Sequence, residues 1–190
     1  MRARGGIVAL RSDRVLMTDG DSAERDVIEH PGAVAVVALD DTGEDWRVLL
    51  IRQYRHPAGR LLWEIPAGLR DVDDEEPQAT AVRELAEEAA LRAADWRSLV
   101  DFFPSPGVSE ERIRIYLARG LTEIPPEERD FTPRHEEADM PVRWLELDAA
   151  VSRVLAGEIH NANAVAGVLA VAAARARGLD TLRPADAAEE

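Results

Sequence analysis

The pattern of apolar and polar residues changes along the chain from strand-like to helical and back. Short runs rich in valine, isoleucine and leucine, bounded by aspartate and glycine, are typical of strands. Ser12-Asp13 and the turn residues 19–21 separate the first of these runs. The pattern predicts strands at residues 7–10, 14–17, 25–30, 33–39, 47–52, 96–103, 112–118 and 142–147.

Three segments have helical periodicity. The first helix is expected to begin at Pro77, which suits a first-turn position, and to end near Ala89 or Ala90. The second is predicted at residues 149–156 behind an Asp148 cap, and the third at residues 163–177, ending at Gly178. A polar, acidic loop is predicted at residues 123–139. Strands on both sides of helices, without an internal repeat, predict one domain of the α/β (α+β) class.

The composition of the chain excludes several classes of binding partner and of chemistry. The net charge of −14 argues against general binding to nucleic acid or to an anionic membrane surface. All 23 basic residues are arginines, which excludes lysine chemistry and suits a diphosphate, although a general coding bias explains the same count. The chain has no cysteine, which excludes disulfides, thiolate catalysis and zinc sites with sulfur ligands and leaves the redox compartment undetermined. Its N-terminus does not resemble a secretory signal, so a cytoplasmic protein is expected. The apolar run 162–174 is shorter than the ~20 residues a bilayer requires.

Three glutamates on consecutive turns of the first helix form the main candidate for chemistry. Glu84 lies three and four residues before Glu87 and Glu88, so the three share a helix face. They fall in the C-terminal half of the helix, where the helix dipole disfavours negative charge. Mg²⁺ favours oxygen ligands and is commonly held by one or two carboxylates together with substrate phosphates. A solvated acidic face, relieved by Arg83 pairing with Glu87, is the alternative interpretation.

This run resembles the signature box of the Nudix hydrolases, which cleave nucleoside diphosphates linked to another group. The matching residues are Gly68, Glu75, Arg83-Glu84-Leu85, Glu87-Glu88 and Leu91. The run departs from the family pattern in two places. One extra residue lengthens the loop between Gly68 and Glu75, and Ala90 stands where the family usually has glycine. Because alanine disfavours the left-handed cap, the helix is expected to run on or to end differently, with the upstream carboxylates unaffected.

The resemblance extends to the ADP-ribose pyrophosphatase branch of the family. Residues 27–37, Gln53-Tyr54-Arg55 and residues 63–68 are similar to its core strands, and Pro106 stands where that branch has a characteristic proline. The resemblance implies an αβα sandwich with a mixed sheet and a small N-terminal antiparallel sheet. The implied domains are residues 1–31 for dimerisation and 32–183 for the hydrolase. Residues 184–190 are expected to be a disordered tail, as is common at chain ends. The resemblance further implies a homodimer with swapped N-terminal strands that help to build the adenine pocket.

The resemblance also implies roles for individual residues. Glu84 and Glu88 are expected to bind Mg²⁺ or Mn²⁺ with the carbonyl of Ala67, and Glu87 to hold a second ion or a bridging water. Arg83 is expected to orient these ligands by pairing with Glu87 or Glu75. The general base is expected in the loop after the box, at Glu136 or else Glu137. Substrate contacts are expected from Arg55, Glu64, Pro106 and Gly107.

The sequence is compatible with more than one substrate and with more than one role for its aromatic residues. The expected reaction is metal-dependent hydrolysis of ADP-ribose to AMP and ribose 5-phosphate. The same residues would serve another nucleoside diphosphate sugar or a dinucleotide, and a non-catalytic ADP-ribose-binding module is a third possibility, disfavoured by the intact carboxylates. Trp46, Trp63 or Tyr54 would stack on adenine or pack in the core. The histidines lack the spacing of metal ligands, namely His30, His56, His135 and His160.

Overall fold

The computed structural model describes residues 1–72, 74–129, 131 and 140–189. Its strands are β1 (Ala3–Arg4), β2 (Ala9–Leu16), β3 (Ser22–Glu29), β4 (Ala33–Asp40), β5 (Arg47–Arg55), β6 (Arg60–Glu64), β7 (Ala67–Leu69), β8 (Leu91–Phe102), β9 (Ile113–Glu123), β10 (Val142–Glu146) and β11 (Arg183–Pro184). Its helices are α1 (Pro77–Ala89), α2 (Leu147–Leu155) and α3 (Ala162–Arg177).

The central strand β4 is covered on both faces. Alternate β4 side chains enter two separate cores, and this explains its continuous apolar sequence. Val37 and Leu39 pack on the side of α2 and α3, whereas Val34 and Val36 pack on the side of α1. The sheet therefore lies between two helical layers, as an αβα sandwich.

The main sheet has eight strands in the order β10-β5-β4-β9-β8-β11, with β6 paired to β5 and β7 paired to β4. The β4–β9 pair is parallel and the others are antiparallel. The predicted α/β class with a mixed sheet is thus confirmed. The three-residue strand β7 escaped prediction because it is too short to show a periodic pattern, yet it brings the backbone of Ala67 and Gly68 beside α1.

The N-terminal residues form a separate three-stranded antiparallel sheet, β1-β2-β3. The prediction of two strands divided at Ser12-Asp13 was wrong, because β2 is continuous and these residues pair with Asp26 and Arg25 of β3. A mostly exposed sheet accepts polar side chains without a break in its hydrogen-bond ladder. Exposed apolar side chains also line this region, among them Ile7, Val8 and Leu16.

The later elements differ from expectation at their ends. Strand β8 begins directly after the α1 cap, at Leu91, and β9 continues to Glu123. Helix α2 begins at Leu147 with Glu146 at its N-cap, so Asp148 lies in its first turn and is not the predicted cap. Helix α3 is capped by Asn161, whose side chain accepts a hydrogen bond from the Ala164 amide at 3.0 Å. Gly178 follows its last residue, as predicted.

The segment after residue 182 is ordered in the described residues, which corrects the prediction of a disordered tail. Its strand β11 pairs with β8, and Ala187 and Glu189 hydrogen-bond to buried or half-buried arginines. Small and acidic residues alone gave no sign of these contacts, which depend on arginines far away in sequence. Among the described residues, no helix has the length and apolarity needed to cross a membrane.

Candidate active site

Helix α1 positions the acidic residues. It begins at Pro77, as predicted, and buries one face that includes Ala81, Glu84 and Leu85 against the sheet. Its apolar residues pack on Val34, Val36 and Tyr116 of the α1-side core. Because Glu84 lies on this inward face, it is buried despite its charge.

The end of α1 corrects the expectation for Ala90. Helix α1 ends at Ala89, and Ala90 adopts the left-handed conformation with φ 52° and ψ 43°. Its amide donates to the carbonyl of Ala86 at 3.0 Å, and the Ala90 carbonyl accepts from the Ile124 amide at 2.8 Å. These backbone bonds and the immediate start of β8 hold a conformation that alanine alone disfavours.

We expect Ala90→Gly to stabilise the protein by roughly 0.5–1 kcal/mol, because glycine removes the left-handed cost of ~1–2 kcal/mol but adds chain entropy to the unfolded state. Urea unfolding followed by circular dichroism measures this change. Ala156→Gly is the matched control, since Ala156 ends α2 with an ordinary φ of −77°. If both variants change stability equally, the left-handed cap at Ala90 carries no strain.

The carboxylate of Glu84 lies directly on the backbone of Gly68. A Cβ placed on Gly68 would come within 2.0 Å of Glu84 Oε1 and 2.1 Å of its Cδ. The φ of Gly68 lies outside the left-handed region, so its backbone conformation does not require glycine. Glycine is required there because a side chain would occupy the space of the Glu84 carboxylate.

Glu88 contacts the same short strand one turn further along α1. Its Oε2 accepts a hydrogen bond from the Ala67 amide at 2.9 Å. The structure thus brings together Ala67, Glu84 and Glu88, which the sequence separates by up to 21 positions. Both glutamates meet the backbone of β7.

Arg83 lies among the remaining carboxylates. Its Nη1 donates to Glu84 Oε1 at 2.6 Å and to Glu87 Oε2 at 3.2 Å, while Nε and Nη2 both lie 3.4 Å from Glu75. Burial alone would lower the pKa of Arg83, but the hydrogen bond to Glu75 and the charges of Glu84 and Glu87 raise it above its ordinary value. The guanidinium therefore stays charged and offsets the repulsion between the glutamates.

Glu75 completes this network from the loop before α1. Thr80 Oγ1 donates to its Oε2 at 2.8 Å, and this bond, followed by those from Arg83, lowers the pKa of Glu75. Glu75 therefore remains ionised beside Arg83 at neutral pH. Thr80 was not predicted as part of the site, because a threonine in a helix gives no distinctive sequence signal.

With Arg83 between the glutamates, their oxygens do not converge on one point. In the described part of the chain, no three histidine, aspartate or glutamate side chains are close enough to hold a metal ion together. The donor chemistry nevertheless suits a hard divalent cation, because it consists of carboxylate oxygens facing a backbone that has no side chain at Gly68.

A second charged pair lies on the same face of the sheet. Arg55 donates from Nε to Glu64 Oε1 at 3.0 Å and from Nη2 to Glu64 Oε2 at 2.7 Å, a bidentate geometry. Glu64 pairs in register with Ile51, whose side chain enters the α1-side core. Because residues paired directly across neighbouring strands point to the same face of the sheet, Glu64 also faces α1, and its side chain is only 1% exposed.

Comparison with known proteins identifies this arrangement. The family model described as NUDIX domain matches residues 29–166, which include β7, the acidic helix and the Arg55–Glu64 pair. The chain belongs to the Nudix family. It is 50% identical over 182 residues to an ADP-ribose pyrophosphatase of Mycobacterium tuberculosis (strain ATCC 25618 / H37Rv), covering 93% of this chain and 84% of that one.

Two further relatives show the range of this similarity. A methanol dehydrogenase activator of Bacillus methanolicus is 33% identical over 164 residues, covering 86% of this chain and 84% of the relative. A solved structure described as an ADP compounds hydrolase has a TM-score of 0.74 at 21% identity, covering 93% of this chain and 91% of that one. The structural neighbour shows that the fold is the Nudix fold.

A large cavity opens beside the C-terminal end of the Nudix helix. It has a volume of about 650 Å³, and Glu87 and Glu88 are among the residues that line it. Phe131, Met140 and Trp144 also line it. The cavity therefore lies beside the acidic face of α1 and is large enough for a nucleotide-sized ligand.

The described residues that line this cavity include none of the four predicted substrate contacts, Arg55, Glu64, Pro106 and Gly107. Pro106 and Gly107 instead line an open cavity of about 580 Å³ with Arg25 and Val27 of β3. The N-terminal sheet is attached there, since the Ile28 amide donates to the Val108 carbonyl at 2.8 Å. Glu136 and Glu137, the predicted bases, and His135 lie outside the described residues.

The three candidate stacking aromatics lie in different surroundings. Trp46 and Trp63 are half-buried and pack against the core on the α2 and α3 side. Trp63 also has the guanidinium carbons of Arg52 and Arg143 at 5.4 and 5.6 Å from its ring centroid. Tyr54 is exposed and tilted against His56.

One buried group near the site escaped prediction. Gln53 lies on β5 and is buried, and among the described residues its Oε1 has no hydrogen-bond partner. It shares the face of β5 that carries Ile51 and Arg55. The family match of Gln53-Tyr54-Arg55 pointed to the strand, but the sequence did not distinguish the buried glutamine from its exposed neighbour.

Proposed function

We propose that this Nudix hydrolase cleaves ADP-ribose to AMP and ribose 5-phosphate in a reaction that requires Mg²⁺ or Mn²⁺. The observation that carries the proposal is the 50% identity, over 93% of this chain, to an ADP-ribose pyrophosphatase. The intact set of acidic residues supports hydrolysis, because a module that only binds its ligand has no need of three clustered carboxylates at the end of a helix.

The glutamates on α1 are the proposed metal ligands. Glu84 and Glu88, with the main-chain oxygen of Ala67, would hold one ion, and Glu87 would hold a second ion or its water. A bound divalent ion polarises the diphosphate and lowers the pKa of the attacking water. Arg83 orients the glutamates through its contacts to Glu75, Glu84 and Glu87.

Other residues are proposed to position the substrate or to act as the general base. Arg55, held by Glu64, is proposed to direct its guanidinium towards a phosphate oxygen, with Glu64 as a further substrate contact. Pro106 and Gly107 are proposed to contact substrate from the loop before β9. Glu136, or alternatively Glu137, is proposed as the general base on the basis of the family resemblance.

We also propose a homodimer in which the N-terminal strands reach the partner subunit. The exposed apolar side chains Ile7, Val8 and Leu16 support it, because a monomer would leave them in water. Light scattering of the purified protein at micromolar concentration tests it. A monomeric mass would refute the dimer without affecting the proposed chemistry.

The reaction is tested by incubating purified protein with Mg²⁺ and ADP-ribose and measuring AMP by ion-exchange chromatography. Parallel reactions contain another nucleoside diphosphate sugar and a dinucleotide, since the same acidic residues would serve either of these substrates. We expect the highest kcat/KM with ADP-ribose. Cleavage of another substrate with ADP-ribose left intact would refute the substrate and leave the Nudix chemistry in place.

A further inference from the structure

Residues 183–189, here called the C-terminal strap, cross the sheet from its edge to the strand that carries the active-site glycine. The strap begins as β11, which pairs with β8 through Arg183 opposite Ser98 and Pro184 opposite Arg97. It then passes over β9 and ends with Glu189 against Arg70, the residue directly after β7. The strap therefore connects the far edge of the sheet to the end of β7.

A buried arginine anchors the middle of the strap. The side chain of Arg114 on β9 is only 3% exposed, and it donates to the carbonyls of Ala187 at 2.6 Å and Ala188 at 3.3 Å. Its Nε and Nη2 bind Asp101 at 2.7 and 2.9 Å, and Arg183 Nη1 binds the same carboxylate at 3.0 Å. These bonds fix the strap backbone, so that the position of Glu189 is defined.

Glu189 in turn fixes Arg70. Both carboxylate oxygens of Glu189 accept from Arg70 Nη1, at 3.2 and 3.0 Å. The Arg70 amide donates to the Gly32 carbonyl at 3.1 Å, so the residue is held by its side chain and by its backbone. The strap and Arg70 also line a cavity with Pro77 and Gln78, the first residues of α1. The strap thus spans the start and the end of the loop between β7 and α1.

This loop contains the extra residue that distinguishes the chain from the general Nudix pattern. Strand β7 has only three residues, and both Glu84 and Glu88 rest on its backbone. A small shift at the end of β7 therefore moves the surface against which both glutamates are placed. A longer loop without a restraint would increase such shifts.

We propose that the C-terminal strap positions β7 for the metal-binding glutamates, with Arg70 and Glu189 as positioning residues. The proposal deepens the proposed function and rests on its metal site. As positioning residues, Arg70 and Glu189 contact neither substrate nor metal. They restrict the backbone of Gly68 and Ala67 from outside, as groups behind metal ligands do.

The test measures Mn²⁺ binding to the full-length protein without substrate, from the free Mn²⁺ signal in electron paramagnetic resonance. We expect Glu189→Gln and Arg70→Gln each to weaken Mn²⁺ binding by about 3- to 10-fold, below the 10- to 100-fold typical of groups that contact a ligand directly. The double variant should bind Mn²⁺ with no lower affinity than the single variant that binds it less tightly. The reason is that both substitutions break the contact between Arg70 and Glu189.

The pair of substitutions separates positioning from simple electrostatics. Glu189→Gln removes a negative charge and Arg70→Gln a positive one, so a through-space field alone would weaken Mn²⁺ binding in the first variant and strengthen it in the second. Asp186→Asn is the matched control, because it removes the same charge as Glu189→Gln from the same strap. Among the described residues, no ion pair involves Asp186. Its Mn²⁺ affinity should stay within about twofold of the parent protein, as for an exposed charge.

Two results would overturn the proposal. One is unchanged or tighter Mn²⁺ binding in Arg70→Gln, and the other is a Glu189→Gln variant that behaves like Asp186→Asn. Arg70→Lys, which keeps the charge, serves as the second variant should Arg70→Gln unfold, and it should weaken Mn²⁺ binding in the same direction. Because no substrate is present, a protein that binds Mn²⁺ but leaves ADP-ribose intact refutes the proposed function and not this inference.

Discussion

Replacement of Glu84 by glutamine is expected to reduce kcat/KM for ADP-ribose by about a thousandfold or more. Glutamine keeps the shape of the side chain but removes the negative charge that we propose as a metal ligand. Loss of several kcal/mol of charge stabilisation in the transition state corresponds to this factor, because each 1.36 kcal/mol is about tenfold in rate. The measurement is steady-state AMP release with saturating Mg²⁺.

We expect the Glu84→Gln variant to fold like the parent protein. Glu84 contacts Arg83, which also binds Glu75 and Glu87, so the guanidinium keeps two carboxylate partners in the variant. Glu76→Gln is the matched control, because Glu76 is an exposed residue at the N-cap of the same helix and makes no side-chain cap bond. It should retain activity within about twofold, as expected for a surface charge. A Glu84→Gln protein with more than about a tenth of the parent activity would contradict the metal role.

Replacement of Gly68 by alanine is expected to reduce Mg²⁺-dependent hydrolysis by about a hundredfold, since a displacement of ~1 Å at a catalytic group costs about that factor. The new methyl group would lie 2.0 Å from Glu84 Oε1, which is far below van der Waals contact. The backbone of Gly68 has an ordinary φ, so the substitution brings no backbone strain. The clash falls on the end of the Glu84 side chain, which must move away from β7.

The end of a side chain moves more readily than backbone does. The loss of stability should therefore be small, below the cost of about 1–3 kcal/mol that is typical of an overpacked core. Thermal unfolding and Mn²⁺ titration of the same preparation distinguish a displaced ligand from an unfolded protein. Gly43→Ala is the matched control, since no atom lies within 4 Å of a Cβ placed at Gly43. Wild-type activity in Gly68→Ala would show that the position of Glu84 against β7 is irrelevant to the reaction.

The elements that matter most for the site were predictable from local sequence. Pro77 marks the start of α1, and the spacing of Glu84, Glu87 and Glu88 places them on one face irrespective of the rest of the fold. The apolar run at residues 33–39 predicted the strand that forms β4. The expectation for Ala90 was wrong because bonds to Ala86 and Ile124, made after the chain folds, outweigh a single-residue preference.

The α/β class, the acidic helix and the Nudix family follow from the sequence, because helical period, strand alternation and a spaced motif are local properties of the chain. The pairs of groups that meet in space follow from the folded structure: Glu84 with Gly68, Glu88 with Ala67, Arg55 with Glu64, and Glu189 with Arg70. These contacts join residues on different elements. They depend on the order of strands in the sheet, which side-chain periodicity does not encode.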